Sequence, residues 1–357
     1  MVTADLLSDP FLERQRLLVR KPMALLGARI RFESNDRRLL KLADDAFAAL
    51  PPHRLPRPIA PDLRIVLRSI PAPRARASSA PPPLTMMSGA DLLAGAPRAS
   101  SFVALSPETA SALVVVSEPL LRFPYHTRYE LIEFAVYTLA ARTQRLAALH
   151  GACVGKGGRG VLLMGASGSG KSTVALHCLL RGLDFLSEDA VFVQPSTMLA
   201  TGAANFLHVR SDSLKGLGRT PAAAAIRRSP VIRRRSGVRK FEVDLRRGGF
   251  KLARAPLELV SIVFLSPRSA RGRPLLTPLR KADLLTRLAS AQAYARGQPE
   301  WPSFARGAAA LDAFELYRGR DPDESVDALE RLLRSGAEAQ RRGDSTGPVR
   351  HAAGRAR

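Results

Sequence analysis

Residues 165–173 read Gly165, Ala166, Ser167, Gly168, Ser169, Gly170, Lys171, Ser172, Thr173. This is the spacing G-x4-G-K-[ST] of a loop that wraps phosphate oxygens. Glycines let successive backbone N–H groups turn inward onto an anion. An apolar, strand-like GVLLM precedes the loop and a helical pattern follows it, so the positive end of a new helix points at the same place. In that setting Lys171 is predicted to sit between the β- and γ-phosphates of a nucleotide. The Ser172 hydroxyl is predicted to bind Mg²⁺, with Thr173 a weaker substitute.

Holding a nucleotide is not yet a reaction. Transfer of a phosphoryl group to a hydroxyl needs a carboxylate to take the proton and another to help hold the metal. Glu188 and Asp189 follow the loop by about one helix and one strand, between the apolar stretches LDFL and AVFV. Neighbours in a strand point to opposite faces, so the pair can share the two tasks only if the strand ends or bulges there. His150 closes the first apolar stretch of an expected hairpin over 149–164, whose turn GKGGRG would bring it alongside the strand entering the loop. His53, His126, His177, His208 and His351 are scattered along the chain and are given no role.

The elements that position these residues follow from periodicity. A strand is expected at 28–34, then a helix at 36–50 capped by Ser34 and Asn35, then a strand at 62–70. Residues 71–89 are Pro/Ser-rich and read as a surface loop. SFVALS and SALVVVSEPL read as paired strands. Thr127 and Glu130 have capping-box spacing at the head of a helix over about 128–148, with Leu131, Ile132, Phe134, Ala135, Leu139 and Leu146 as its buried stripe. Beyond the loop come a helix stopped by Gly182, a strand over 183–193 interrupted by polar residues, strands at 239–245 and 259–266, a helix at 278–295 and a last strand, AFELYRG. Asp321 and Pro322 open a final helix that Gly336 is expected to close.

The chain has 357 residues and a net charge of +24. Such a balance invites nucleic acid as a partner, but neither a helix-turn-helix nor an aromatic stacking platform is visible. The excess is uneven: residues 210–247 carry twelve Lys/Arg against three Asp/Glu. Cys153 and Cys178 form neither a metal nor a disulfide framework. No apolar run reaches membrane-spanning length. The N-terminus has an early acid and no basic run before an apolar one, so a cytoplasmic location is expected.

His150, the hairpin, the loop 165–173, the helix and FLSEDAV together resemble the catalytic domain of HPr kinase/phosphorylase and related proteins, over about residues 148–193. The resemblance implies an α/β fold with a core like that of HPr kinase and phosphoenolpyruvate carboxykinase, ATP and Mg²⁺ as cofactors, and phosphorylation of a serine-type hydroxyl. It implies His150 beside the reacting centre, Lys171 and Ser172 on the nucleotide and metal, Glu188 as proton acceptor and Asp189 on the metal. The family usually has Asp-Asp where this chain has Glu188-Asp189. Its Glu-x-Arg-Gly-x-Gly signature finds only a loose echo in residues 213–218, with Asp212 beside it.

Three segments are expected: an N-terminal α+β region at 1–125 serving substrate choice or assembly, a catalytic domain at 126–340, and a disordered basic tail at 341–357. The acceptor is expected to be an acidic or hydroxyl-bearing protein, peptide or small molecule. The arginines of 227–247 would grip it, or reach a neighbouring subunit in a homo-oligomer. Two other readings stay open. A small-molecule kinase or ATPase on the ordinary P-loop fold would show an all-parallel sheet around residue 165. A nucleotide-sensing regulator would use the arginines on nucleic acid.

Overall fold

The computed structural model describes residues 18–344 apart from 57, 58, 60, 61, 72–79, 83, 90, 91, 98–100, 167 and 219. The tail expected at 341–357 therefore lies outside the described residues from 345 onward, as do residues 72–79 and 83 of the Pro/Ser-rich stretch; its end, expected as loop, is instead a strand over Leu84–Gly89. The fold is mixed α/β, built on two large sheets and one small one.

The first sheet has seven strands: β1 (Val19–Leu25), β2 (Ala28–Ser34), β3 (Asp62–Ile70), β4 (Leu84–Gly89), β5 (Leu92–Pro97), β6 (Phe102–Ser106) and β7 (Ser111–Ser117), in the order β1-β2-β3-β7-β6-β5-β4. Strands β1 and β2 join through Leu26 and Gly27, both at positive φ, the two-residue turn whose twist matches a hairpin. A parallel crossover from β2 to β3 carries helix α1 (Arg37–Phe47). Its cap is Asp36, whose side chain accepts from the Arg38 N–H, rather than the expected Ser34 or Asn35. The Ser34 hydroxyl instead holds the cap residue's own backbone.

Short turns at Pro124–His126 and a wide, π-type helix at Thr127–Glu133 lead into α2 (Phe134–Thr143). The expected capping box is not made. The helix begins earlier, the Thr127 hydroxyl donates to the Leu120 carbonyl, and Glu130 accepts from His126 and Arg235. The expected stripe does pack inward: Leu131, Ile132, Ala135, Leu139 and Leu146 join the core of the first sheet with Phe32, Leu39, Ile65 and Leu67. Phe192 and Ala203 enter the same core from the second sheet, so the two sheets share apolar surface.

The second sheet follows from β8 (Ala147–His150), β9 (Ala152–Lys156) and β10 (Arg159–Met164), then, across helix α3 (Lys171–Leu180), from β11 (Asp184–Ser187), β12 (Ala190–Gln194) and β13 (Leu199–Gly202). The small sheet is β14 (Phe206–Val209), β15 (Val231–Arg233) and β16 (Arg239–Asp244). Strands β17 (Leu257–Ser269), β18 (Leu276–Pro278) and β19 (Asp312–Arg318) complete the second sheet, ordered β11-β9-β10-β17-β13-β12-β8 with β18 and β19 on the other side of β17. Strand β10 runs parallel to β17 but antiparallel to β9. The sheet at residue 165 is thus mixed, not all-parallel.

Strands β11 and β12 lie near opposite ends of this path, yet only Glu188 and Asp189 separate them. Three residue steps span at most about 11 Å, so the sheet must roll until its ends meet at the acidic pair. Gly202 of β13 permits the approach. A Cβ there would come within 2.8 Å of the Ser187 Cβ and 3.1 Å of the Leu186 carbonyl. The final helix, α4 (Pro322–Asp344), starts as expected with Asp321 accepting from the Asp323 N–H. It runs past Gly336 to Asp344, so that glycine does not end it. Among the described residues, no helix is long and apolar enough to cross a membrane.

Candidate functional site

The glycine-rich loop joins the end of β10 to the start of α3. Gly168 and Gly170 have φ of +82° and +104°, a region open to glycine and strained for residues with a Cβ. A Cβ at either would meet no protein atom within 4 Å, so that side of the loop is clear. Gly165 is crowded instead: its Cβ would fall 2.6 Å from the Ser169 hydroxyl. Ser167 lies outside the described residues. The buried Ser169 hydroxyl has no protein partner. The Thr173 hydroxyl meets Ser213 at 3.0 Å, which brings the segment 213–218 against the head of α3.

Lys171 is buried, and its ammonium donates to the loop carbonyls of Gly165 (2.6 Å) and Ala166 (3.1 Å). Burial pulls its pKa down, partly countered by the carboxylates of Asp189 and Glu188. The loop and the acidic pair therefore share one electrostatic environment, although sixteen residues separate Lys171 from Glu188.

The pair sits where the sequence allowed it to work, in the break between β11 and β12. Glu188 is 4% exposed. One oxygen, Oε2, accepts from the His208 backbone N–H at 2.8 Å, while buried Oε1 has no close partner among the described residues. Burial pushes the Glu188 carboxyl up, and the neighbouring Asp189 charge adds to this; the Ser172 hydroxyl stands beside the carboxyl and partly opposes the rise in its proton affinity. Asp189 goes the other way. Burial would raise it, but His208, Arg234, Lys240 and His150 outweigh that cost. Two adjacent carboxyls with divergent proton affinities can divide the work between a proton carrier and a charged ligand.

His150 arrives by a different route from the expected one. The hairpin does form between β9 and β10, but the chain breaks at Gly151 and β8 pairs with β12, His150 opposite Ala190. Its Nδ1 lies 3.1 Å from the Asp189 carbonyl, and Gln292 clasps its backbone on both sides. His150 thus flanks the acidic pair from an exposed position.

Several residues given no role in the sequence complete the site. His208 on β14 faces Glu242 on β16 as a direct cross-strand partner, with Nε2 3.3 Å from the Glu242 carboxylate. Buried Arg128, from the π-type turn, donates to both Glu242 and Glu133, and its guanidinium lies 4.0 Å from the Phe206 ring centroid. At the tip of the β15–β16 hairpin, Arg234 donates to Asp189 at 3.0 Å and to His208 Nδ1 at 3.2 Å. Arg235 forks onto Glu130. Two of the three arginines at 233–235, expected to grip a substrate, are therefore held by acids of this chain. The sequence carried no signal for the His208–Glu242 pair: Glu242 falls in the polar phase of RKFEVD with Lys240 and Asp244, and FLHV does not alternate.

No protein-family model matches the chain, nor does any curated protein. Among solved structures it is similar to the HPr(Ser) kinase/phosphatase from Coxiella burnetii. The identity is 12%, the match covers 56% of this chain and 94% of that one, and the TM-score is 0.28.

Proposed function

We propose that this chain is an ATP- and Mg²⁺-dependent kinase that transfers the γ-phosphoryl group to a serine-type hydroxyl of a protein, peptide or small molecule. The observation that carries the reading is Glu188: a buried carboxyl of raised proton affinity, fixed by a backbone N–H, beside the Ser172 hydroxyl and electrostatically joined to the lysine of a phosphate-type loop. The residues fit the groups the reading needs. The clear sides of Gly168 and Gly170 leave room for phosphate oxygens, and Asp189 with Ser172 offers oxygen ligands to a hard cation. Mg²⁺ there would neutralise charge building on the transferred group.

Lys171 would exchange its loop carbonyls for the β- and γ-phosphate oxygens. Glu188 Oε1 would accept the proton of the acceptor hydroxyl as its oxygen bonds to the γ-phosphorus. The bond from that phosphorus to the bridging oxygen breaks, and ADP leaves with the electron pair. His150 would stand at the acceptor side of Asp189.

The test uses γ-labelled ATP, Mg²⁺ and cell extract with full-length protein, alongside direct nucleotide binding. Labelled acceptor is expected with the native chain. Lys171→Ala is expected to lower labelling by about 100-fold or more, and Glu188→Gln to bind nucleotide yet transfer almost nothing. A native chain that binds no magnesium nucleotide, or a Glu188→Gln variant that labels normally, overturns the reading.

A further inference from the structure

The geometry points to a nucleotide-independent site for a first-row transition metal ion, formed by Glu188, Asp189 and His208 and guarded by Arg234. One ligand atom from each of the three residues lies within 4.8 Å of the other two. His208 Nδ1 is 3.9 Å from Glu188 Oε2 and 3.8 Å from Asp189 Oδ2. Ligands bonded at about 2.0–2.2 Å stand roughly 3–4 Å from one another, so the three need close only slightly around an ion.

The tautomer of His208 follows from its partners. Arginine can only donate, so the contact from Arg234 makes Nδ1 an acceptor and leaves the proton on Nε2. That nitrogen faces the Glu242 carboxylate, which Arg128 holds in turn. An imidazole whose Nδ1 stands beside two carboxylates and whose other nitrogen is anchored by a third is the arrangement that orients a metal-bound histidine. A further observation points to a cation. The Arg234 guanidinium donates to two of the three ligand atoms, so a positive group already stands where the ion would.

The donor set decides the class of ion. Oxygen ligands alone suit Mg²⁺, whereas an imidazole nitrogen favours Zn²⁺, Fe²⁺ or Ni²⁺ and is taken by Mn²⁺, lower in the same series, more readily than by Mg²⁺. Arg234 must withdraw for the ion to enter. It is carried on a tight hairpin tip closed by the Arg234 N–H to Val238 carbonyl contact, with Gly237 at φ +83°, and stacks 4.5 Å from the Tyr129 ring centroid. The ion and the arginine therefore compete for Asp189 and His208.

This inference shares residues with the proposed kinase site but does not depend on its reaction. Full-length, nucleotide-free protein is titrated with MnCl₂ while free Mn²⁺ is followed by electron paramagnetic resonance. Arg234→Gln is expected to bind one Mn²⁺ at least about tenfold more tightly than the native chain. Adding His208→Gln to that variant is expected to return most of the gain, and excess Mg²⁺ to displace Mn²⁺ poorly. No bound Mn²⁺ in Arg234→Gln, or equal binding with and without His208, overturns the site. Should His208→Gln fail to fold by circular dichroism, electron spin-echo modulation on Arg234→Gln decides. A directly bonded nitrogen is expected, and its absence sinks the proposal. Mn²⁺ binding without phosphoryl transfer would retain this site and remove the kinase reading; transfer without Mn²⁺ binding would do the reverse.

Discussion

Two buried glutamates, one in each large sheet, show how differently the two halves of the molecule treat charge. Glu33 on β2 is 2% exposed and Glu188 is 4% exposed. Burial alone would raise the proton affinity of both. At Glu33 the nearby Arg64, Arg31 and Arg20 reverse the effect and hold the carboxyl low. At Glu188 no arginine among the described residues is in contact. Its neighbour is another carboxylate, and its proton affinity rises. The first sheet neutralises the acid it buries. The second leaves one only partly compensated, by His208 and Ser172, the configuration expected where a proton must be moved.

The sharpest way to break this comparison is Glu188→Gln. If the carboxyl takes a proton in the reaction, kcat should fall by about 10²–10⁴-fold. Stability should move the opposite way. A carboxyl whose pKa is raised on folding carries its full stability below its unfolded pKa, about 4.3, and loses some as pH rises through the folded value. The Gln variant lacks that loss, so it should melt higher than the native chain at neutral pH and equally at pH 4. The same sign places the acid limb of the native pH–rate profile above the ordinary carboxylate range. A limb at or below about pH 4.3 would mean that Glu188 is not the proton carrier.

Arg128 is the next largest effect. It is 6% exposed and donates to two buried acids, Glu133 and Glu242. Removing one member of a buried ionic group leaves uncompensated charge, at about 3–5 kcal/mol. Arg128→Met should destabilise by that order in urea melts, and should loosen the Glu242 hold on His208. A loss below about 1 kcal/mol would show the cluster adapting by taking up a proton.

Glu33→Gln should show the opposite pH sign to Glu188→Gln and a smaller size. Arg20 and Arg31 are largely exposed, so screening limits the effect to about 1 kcal/mol. A carboxyl whose pKa is lowered on folding contributes above its unfolded pKa and loses that contribution as pH falls through the folded value. The variant should therefore melt below the native chain at neutral pH and converge with it in acid. Matching signs at the two glutamates would erase the distinction between the sheets.

Much of the first sheet was legible because its contacts are local or periodic. Leu63, Ile65 and Leu67 alternate inward along β3, and the crossover helix follows directly on β2. The phosphate-type loop was legible for the same reason, since its glycines act through their own φ angles. The division of the acidic strand could be read as a condition, that it must break at Glu188-Asp189 for both acids to serve, and it does break there. His208, Glu242 and Arg128 could not be read, and Arg234, read as a grip on the acceptor, could not be placed on Asp189 and His208. Their meaning lies in pairings across 114 residues (Arg128 to Glu242) and 45 residues (Asp189 to Arg234), which no periodicity records. The capping box misled because Thr127 and Glu130 have the right spacing but are held by Leu120, His126 and Arg235 instead.

The seam between the sheets supplies the smallest test. His53 leaves the first sheet's connecting segment and lies buried against the second, its Nδ1 2.8 Å from the Thr201 hydroxyl and its Nε2 2.9 Å from the Ala253 carbonyl. A carbonyl only accepts, so Nε2 carries the proton and Nδ1 accepts a hydrogen bond from the Thr201 hydroxyl. Burial lowers the pKa of this ring, with the Ala253 carbonyl opposing. The group therefore contributes its stability above the unfolded histidine value, about 6.5, and loses it as pH falls through the folded value. His53→Gln keeps a donor and an acceptor but has no charge to gain. At pH 7.5 it should cost about 1 kcal/mol or less, and between pH 6.5 and 5 its stability should fall less steeply than that of the native chain. Parallel slopes in that window would mean that the seam does not sense protonation, leaving the two glutamates to set the acid response.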